Sequence, residues 1–180
     1  MSQPYSEDEK ELFQHIGELL ILLQDVEQWM SWTLRLCFPG KNSINPQKLL
    51  SEDRRTLERF VKELNKRTEL DPEFKRILKK LIKDRNFFIH RMRHQPWFDT
   101  TTKKGLDAIW TFLSELQEGI KTISMTLQIV MQKETNYFRF ARPEDLQALK
   151  EGNYFKYWAE HAELADRAIK RKSQQSALRL

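Results

Sequence analysis

Leu106, Ile109, Leu113, Leu116, Ile120, Ile123, Leu127 and Val130 recur at strictly alternating steps of three and four residues, with no proline among them. That spacing puts all eight on one side of a helix and leaves the opposite side polar. A helix this long cannot bury its own stripe, so the chain must supply partner helices with stripes of their own. Three earlier segments do. Ser6 with Glu9 forms a capping box, after which Leu12, Ile16, Leu19, Leu23, Val26 and Met30 make a seam that should stop before Pro39-Gly40. The stretch PGKNSINPQK reads as loop. Ser51 caps a second helix with Leu57, Phe60, Val61 and Leu64 on its apolar face. Asp71-Pro72-Glu73 opens a third, with Asp as N-cap and Pro in the first turn; its seam runs through Phe74, Ile77, Leu78, Leu81, Ile82, Phe88 and Ile89. Gln95-Pro96 should end it, because a residue before proline is pushed out of the helical region.

The spacing therefore predicts an all-α fold, an up-and-down four-helix bundle over residues 1–135, followed by a C-terminal helical extension over 136–180. In the extension, Tyr137-Phe138-Arg139-Phe140 interleaves aromatic and basic residues. Arg142-Pro143-Glu144-Asp145 restarts a helix, and Tyr154, Phe155, Tyr157 and Trp158 follow. Such aromatics can stack single-stranded bases. The expectation preferred here is that they pack a last helix onto the bundle.

With 180 residues and only five glycines, one core can hold the chain together without staples. The single cysteine, Cys37, excludes an intramolecular disulfide and a Cys-based zinc site, and suits a reducing compartment. The first ten residues are polar and acidic, unlike a secretory signal. The run Leu19–Leu23 is too short to span a bilayer, so a soluble, cytoplasmic protein with no membrane contact is expected.

Net charge is +5, but its distribution is uneven: residues 75–104 carry +8, the tail from Arg167 adds five basic residues, and the remainder sums to −8. Segregation of this kind suits a phosphate-bearing partner, although a solvated lysine-rich helix face would look the same.

At the centre of the basic stretch lies KDRNFFIHRMRH, residues 83–94. An Arg followed a few residues later by His carries little weight alone; about one such match arises by chance in a chain with 14 Arg and 4 His. The setting carries more. Arg85 continues the apolar seam, four after Leu81 and three after Ile82, so its charge must be paired or must meet a cleft. Asn86 and His90 are four apart and share a helix face. Arg85 and His90 lie about 140° apart on an ideal helix, so either the last turn unwinds or two copies meet across a dimer.

Arg85-Asn86-Phe87-Phe88-Ile89-His90, in the third helix of a bundle, resembles the R-x(4–6)-H signature of the HEPN (higher eukaryotes and prokaryotes nucleotide-binding) superfamily, in which a polar residue often follows the Arg. By helix pattern the resemblance covers roughly residues 6–135; by motif it covers six residues. It implies a metal-independent endoribonuclease from a toxin–antitoxin or phage-defence setting, acting as a homodimer on RNA. A protein antitoxin or regulator would then be a further partner, and neither cofactor nor metal is needed. One departure stands out. Members paired with nucleotidyltransferase antitoxins tend to carry Tyr two residues after the His, where this chain has Met92.

The chemistry suits these residues independently. Metal-free RNA cleavage needs a proton acceptor for the 2′-OH and a donor for the leaving oxygen, which a near-neutral His can provide. It also needs fixed positive charge on the transition state, which a guanidinium supplies. The candidate catalytic residues are thus His90 as acid/base, Arg85 as charge clamp and Asn86 as orienter. Lys79, Lys80, Lys83, Arg91, Arg93 and His94 are candidate RNA-backbone contacts. The alternatives are a catalytically silent helical module that dimerises or docks a protein, in which a carboxylate of the same chain holds Arg85, and a nucleic-acid binder without cleavage. No Glu-x-x-His pair, Gly-rich phosphate loop or Gly-x-Ser-x-Gly is present; His15 and His161 read as structural or exposed, and Trp29, Trp32 and Trp110 as core or interface anchors.

Overall fold

The computed structural model describes residues 6–38, 56–135 and 154–171. The Pro39-Gly40 loop, the Ser51 cap, the Tyr137–Phe140 and Arg142–Asp145 segments and the last nine residues lie outside them, as do the side chains of Tyr154, Phe155, Tyr157 and Trp158.

The described residues are almost entirely helical. Helix α1 spans Glu7–Trp32 and continues as one π-helical turn, Thr33–Cys37. Helix α2 spans Thr56–Arg67, α3 Pro72–His90, α4 Lys103–Thr135 and α5 Tyr154–Ala168. The expected caps form: Ser6 and Glu9 close the capping box on α1, and Asp71 Oδ1 accepts the Glu73 and Phe74 amides at 2.9 and 3.3 Å. All eight residues of the long stripe except Leu106 are buried along α4, which packs against α1, α3 and α5. Leu12, Phe60, Phe74, Leu78, Leu113 and their neighbours make one continuous core.

Two element ends differ from the sequence expectation. The first helix leaves α geometry at Thr33, whose hydroxyl bonds back to the Trp29 carbonyl at 2.8 Å while its amide is shared between Trp29 and Met30. The next turn is π-helical, closed by the Phe38 amide donating to the Thr33 carbonyl five residues back at 3.3 Å. The third helix ends at His90 and not at Gln95. Arg91 breaks the geometry with φ −133°, and Met92–His94 form a 3₁₀ turn that lets Met92 enter the core.

Helix directions follow from the side-chain pairings. Thr100 bonds Glu9 and His15 stacks near Trp110, so α1 and α4 run the same way. Phe87 meets Phe112 and Lys80 meets Glu115, so α3 and α4 run oppositely. Arg67 reaches the Phe38 carbonyl beyond the end of α1, while Glu58 sits with Glu27 at one joint further back, so α2 follows α1 in direction. Consecutive helices therefore do not all alternate: the arrangement is an all-α packing with α3 running against α1, α2 and α4.

Two short strands were invisible in the sequence pattern. Thr68–Leu70 (β1) pairs antiparallel with Ile169–Arg171 (β2), with Leu70 opposite Ile169. Three residues are too few to show a period of two. Arg167 adds ion pairs to Asp71 and Glu73, and Lys133 pairs with Asp166, so the C-terminal helix is tied to both α3 and α4. Leu164, Ala165, Ala168 and Ile169 join the main core. No helix among the described residues is long and apolar enough to cross a membrane.

Candidate functional site

Helix α3 presents three different sides. Phe74, Leu78, Leu81 and Phe88 face the core. Lys79, Lys83, Asn86 and His90 step four, three and four residues along a second side, where both lysines and the histidine are exposed. Lys80 turns to a third side, where its ammonium bonds Asp84 at 2.7 Å and Glu115 of α4 at 3.3 Å; the Asp84 bond leads in holding that proton more tightly than usual.

Arg85 falls on the core side of the helix, in angle between Phe74 and Leu78 and roughly 120–160° around from Lys79, Lys83 and His90. Its side chain is 16% exposed and enters the joint of α1, α2 and α3. There Nη2 meets Glu27 Oε1 at 3.4 Å, and Nη1 donates to Asn86 Oδ1 at 3.1 Å. Asn86 in turn donates from Nδ2 to Glu58 Oε1 at 2.8 Å, which fixes the amide orientation. The seam position of Arg85 thus does what its charge requires: the guanidinium is paired. The pairing is incomplete, however. Arg85 Nε and Glu58 Oε2 are both buried and have no hydrogen-bond partner. Such orphaned atoms are costly where water is excluded.

Glu27 and Glu58 escaped the sequence reading. Glu27 carried a signal, since it lies four after Leu23 and three before Met30, an acid on a seam just as Arg85 is a base on one. One carboxylate pairs with the guanidinium directly and the second is linked to it through Asn86. Burial pushes the Glu27 carboxyl up from its ordinary range, the Arg85 charge opposes this, and the Glu58 charge adds to it.

His90 is the last residue of α3, exposed, where the C-terminal end of a helix favours a cation. The helix is regular through His90, so Arg85 and His90 keep their angular separation: one enters the joint and the other meets solvent. Arg91, Arg93 and His94 are exposed around the buried Met92 on the 3₁₀ turn. Behind that turn Phe87, Trp97 and Phe112 form a ring cluster with centroids 5.2 to 6.1 Å apart. The cluster anchors the loop to α4 and fixes where the turn sits. Asp99 then accepts from Thr101 and Thr102, bonds that hold its carboxyl below the usual range, with the Thr101 hydroxyl leading.

Among the described residues no three His, Cys, Asp or Glu side chains gather closely enough to hold a metal ion. His15 stacks near Trp110 at 5.1 Å with Nδ1 3.6 Å from Glu18. Trp29 and Trp110 pack against the core, whereas Trp32 is 39% exposed. No family model matches this chain, and no curated protein or solved structure matches it either.

Proposed function

We propose that this chain is a metal-independent endoribonuclease of the HEPN type that cleaves RNA by attack of the 2′-OH. One observation carries the reading. A guanidinium held by Glu27 is bonded to Asn86, and Asn86 shares its helix face with exposed Lys79, Lys83 and His90. In this reading Lys79 and Lys83 contact phosphates along the strand, His90 moves protons and Arg85 neutralises the transition state. Asn86 orients the guanidinium. Lys80, engaged with Asp84 and Glu115, contributes only to the surrounding field, while Arg91, Arg93 and His94 extend the basic surface past the helix end.

Because Arg85 and His90 diverge on a regular helix, a complete site takes Arg85 from one copy and His90 from the other. A homodimer is therefore part of the proposal. A toxin–antitoxin or phage-defence setting and a protein antitoxin follow from the resemblance, and a cytoplasmic location from the single cysteine and the polar first ten residues.

The Arg85–Glu27 pair favours a second reading, a catalytically silent helical module that dimerises or docks a partner protein, with Arg85 serving structure alone. One experiment separates them. Purified protein is incubated with RNA in EDTA, alongside Arg85→Ala and His90→Ala. The nuclease reading expects wild-type cleavage and losses of about 100-fold or more in each variant. Cleavage unchanged in both variants means the site assignment is wrong. Absence of wild-type cleavage supports the silent module when a protein partner is recovered. If RNA is bound intact with steep salt dependence, the protein is a nucleic-acid binder without cleavage.

A further inference from the structure

The joint that holds Arg85 contains more acid than it needs. Glu27 pairs with the Arg85 guanidinium, and Glu58, held by Asn86, adds a second acid close enough to act on Glu27. The two acids are not equivalent. Glu58 is held at 2.8 Å by Asn86, and Asn86 holds Arg85 Nη1, so this arm is a fixed pivot. Glu27 holds Nη2 at 3.4 Å, well beyond the roughly 2.7–2.9 Å of a strong charge-assisted bond. A carboxylate and a phosphate compete for the same guanidinium donors. Nη2 has two N–H groups, but the Glu27 charge beside it repels a second anion, so a phosphate gains most there once Glu27 has moved away.

We propose that Glu27 is an acidic catch on Arg85: it occupies the guanidinium edge in the free protein, and an RNA phosphate engages Arg85 by displacing it while Asn86 and Glu58 keep the other edge in place. This rests on the reading of the site as one that takes RNA. It differs from a structural ion pair in its sign. A structural pair loses function when broken, whereas removal of a catch strengthens phosphate binding. Burial and the neighbouring Glu58 charge also disfavour ionised Glu27, so little holds the catch closed besides Arg85 itself.

The test uses the full chain with inorganic phosphate, following the Arg85 Nε–H resonance by NMR, and a short single-stranded RNA followed by fluorescence anisotropy. In Glu27→Gln, phosphate should shift the Arg85 resonance with a midpoint roughly fivefold or more below wild type, the order expected for removing one competing charge. The RNA should bind tighter by a similar factor, and the gain should vanish when Arg85→Ala is added. Asp25→Asn, which removes an exposed acid from the same helix, should give little gain. If Glu27→Gln does not fold, Glu27→Asp withdraws the carboxylate by one methylene and should shift the midpoint the same way by less. Equal midpoints in wild type and variants overturn the catch, as does an equal gain in Asp25→Asn. If the phosphate midpoint moves as expected but no variant binds or cleaves RNA, the catch stands and the RNA reading fails.

Discussion

Replacing Arg85 with Met tests the electrostatic account of the α1–α2–α3 joint without reference to any ligand. Methionine keeps an unbranched stem of similar length, so the loss of a cation dominates over the loss of packing. What remains is Glu27 with a side chain 15% exposed, facing Glu58 with no positive charge between them. Removing one member of a fully buried pair costs about 3–5 kcal/mol. The residual exposure here reduces that to about 2–3 kcal/mol, still a large share of the ~5–15 kcal/mol that holds a domain folded. The pH dependence has a definite sign. Without Arg85, burial and Glu58 both push the Glu27 carboxyl upward and nothing opposes them. A carboxyl whose folded pKa lies above its unfolded value makes the native state bind more protons. Stability then falls as pH rises from the ordinary carboxylate range through that raised value. The deficit should therefore be largest near pH 7 and shrink toward pH 4.5, and adding Glu27→Gln should restore much of it. Urea denaturation followed by circular dichroism at the two pH values measures this directly. A deficit below about 0.5 kcal/mol at pH 7, or the same deficit at both pH values, would refute the reasoning.

Two further predictions concern the elements that position the site. A Cβ on Gly105 would lie 2.0 Å from the Asp99 carbonyl oxygen, a backbone atom that cannot swing aside, so Gly105→Ala should cost about 1–3 kcal/mol in urea denaturation; a neutral result would mean that the loop before α4 shifts freely. Asp71→Ala removes the acceptor for two α3 amides and a partner of Arg167, and should cost about 1–2 kcal/mol, with hydrogen exchange accelerating first at Glu73 and Phe74.

The helices were legible because each carries its own evidence: the stripe from Leu106 to Val130, the Ser6–Glu9 box and the Asp71-Pro72 start are local patterns set by 3.6-residue periodicity. Helix directions were not legible, since pairings such as Glu9–Thr100 and Phe87–Phe112 join residues far apart in the chain, and amphipathic stripes do not say which way a neighbour runs. The β1–β2 ladder was hidden because its strands are too short to show a period and pair residues about 100 apart in the chain. Of the candidate site, spacing put Asn86 and His90 on one helix face; that Lys79 and Lys83 share that face was not drawn from the spacing. Lys80 was grouped with them by sequence proximity alone, and its partner Glu115 lies 35 residues away, where no local pattern could indicate it. Glu27 and Glu58 went unnoticed because the value of an acid on a seam depends on which base it meets.

A charged residue on an apolar seam poses one question of sequence and another of structure. The sequence can establish only that Arg85 must be satisfied. How completely it is satisfied separates a structural arginine from one with capacity to spare. A guanidinium offers five N–H donors, and a purely structural one in a dry core would be expected to use nearly all of them. Arg85 makes two side-chain hydrogen bonds, one of them long, and leaves Nε buried with no partner. Glu58 Oε2, an acceptor in the same joint, is unsatisfied as well, so the geometry has not brought the spare donor and the spare acceptor together. A joint selected for stability alone could close that gap or replace the charges with apolar side chains at little cost. That it retains two acids, one cation and unused bonding capacity is the physical reason to look for an anion there.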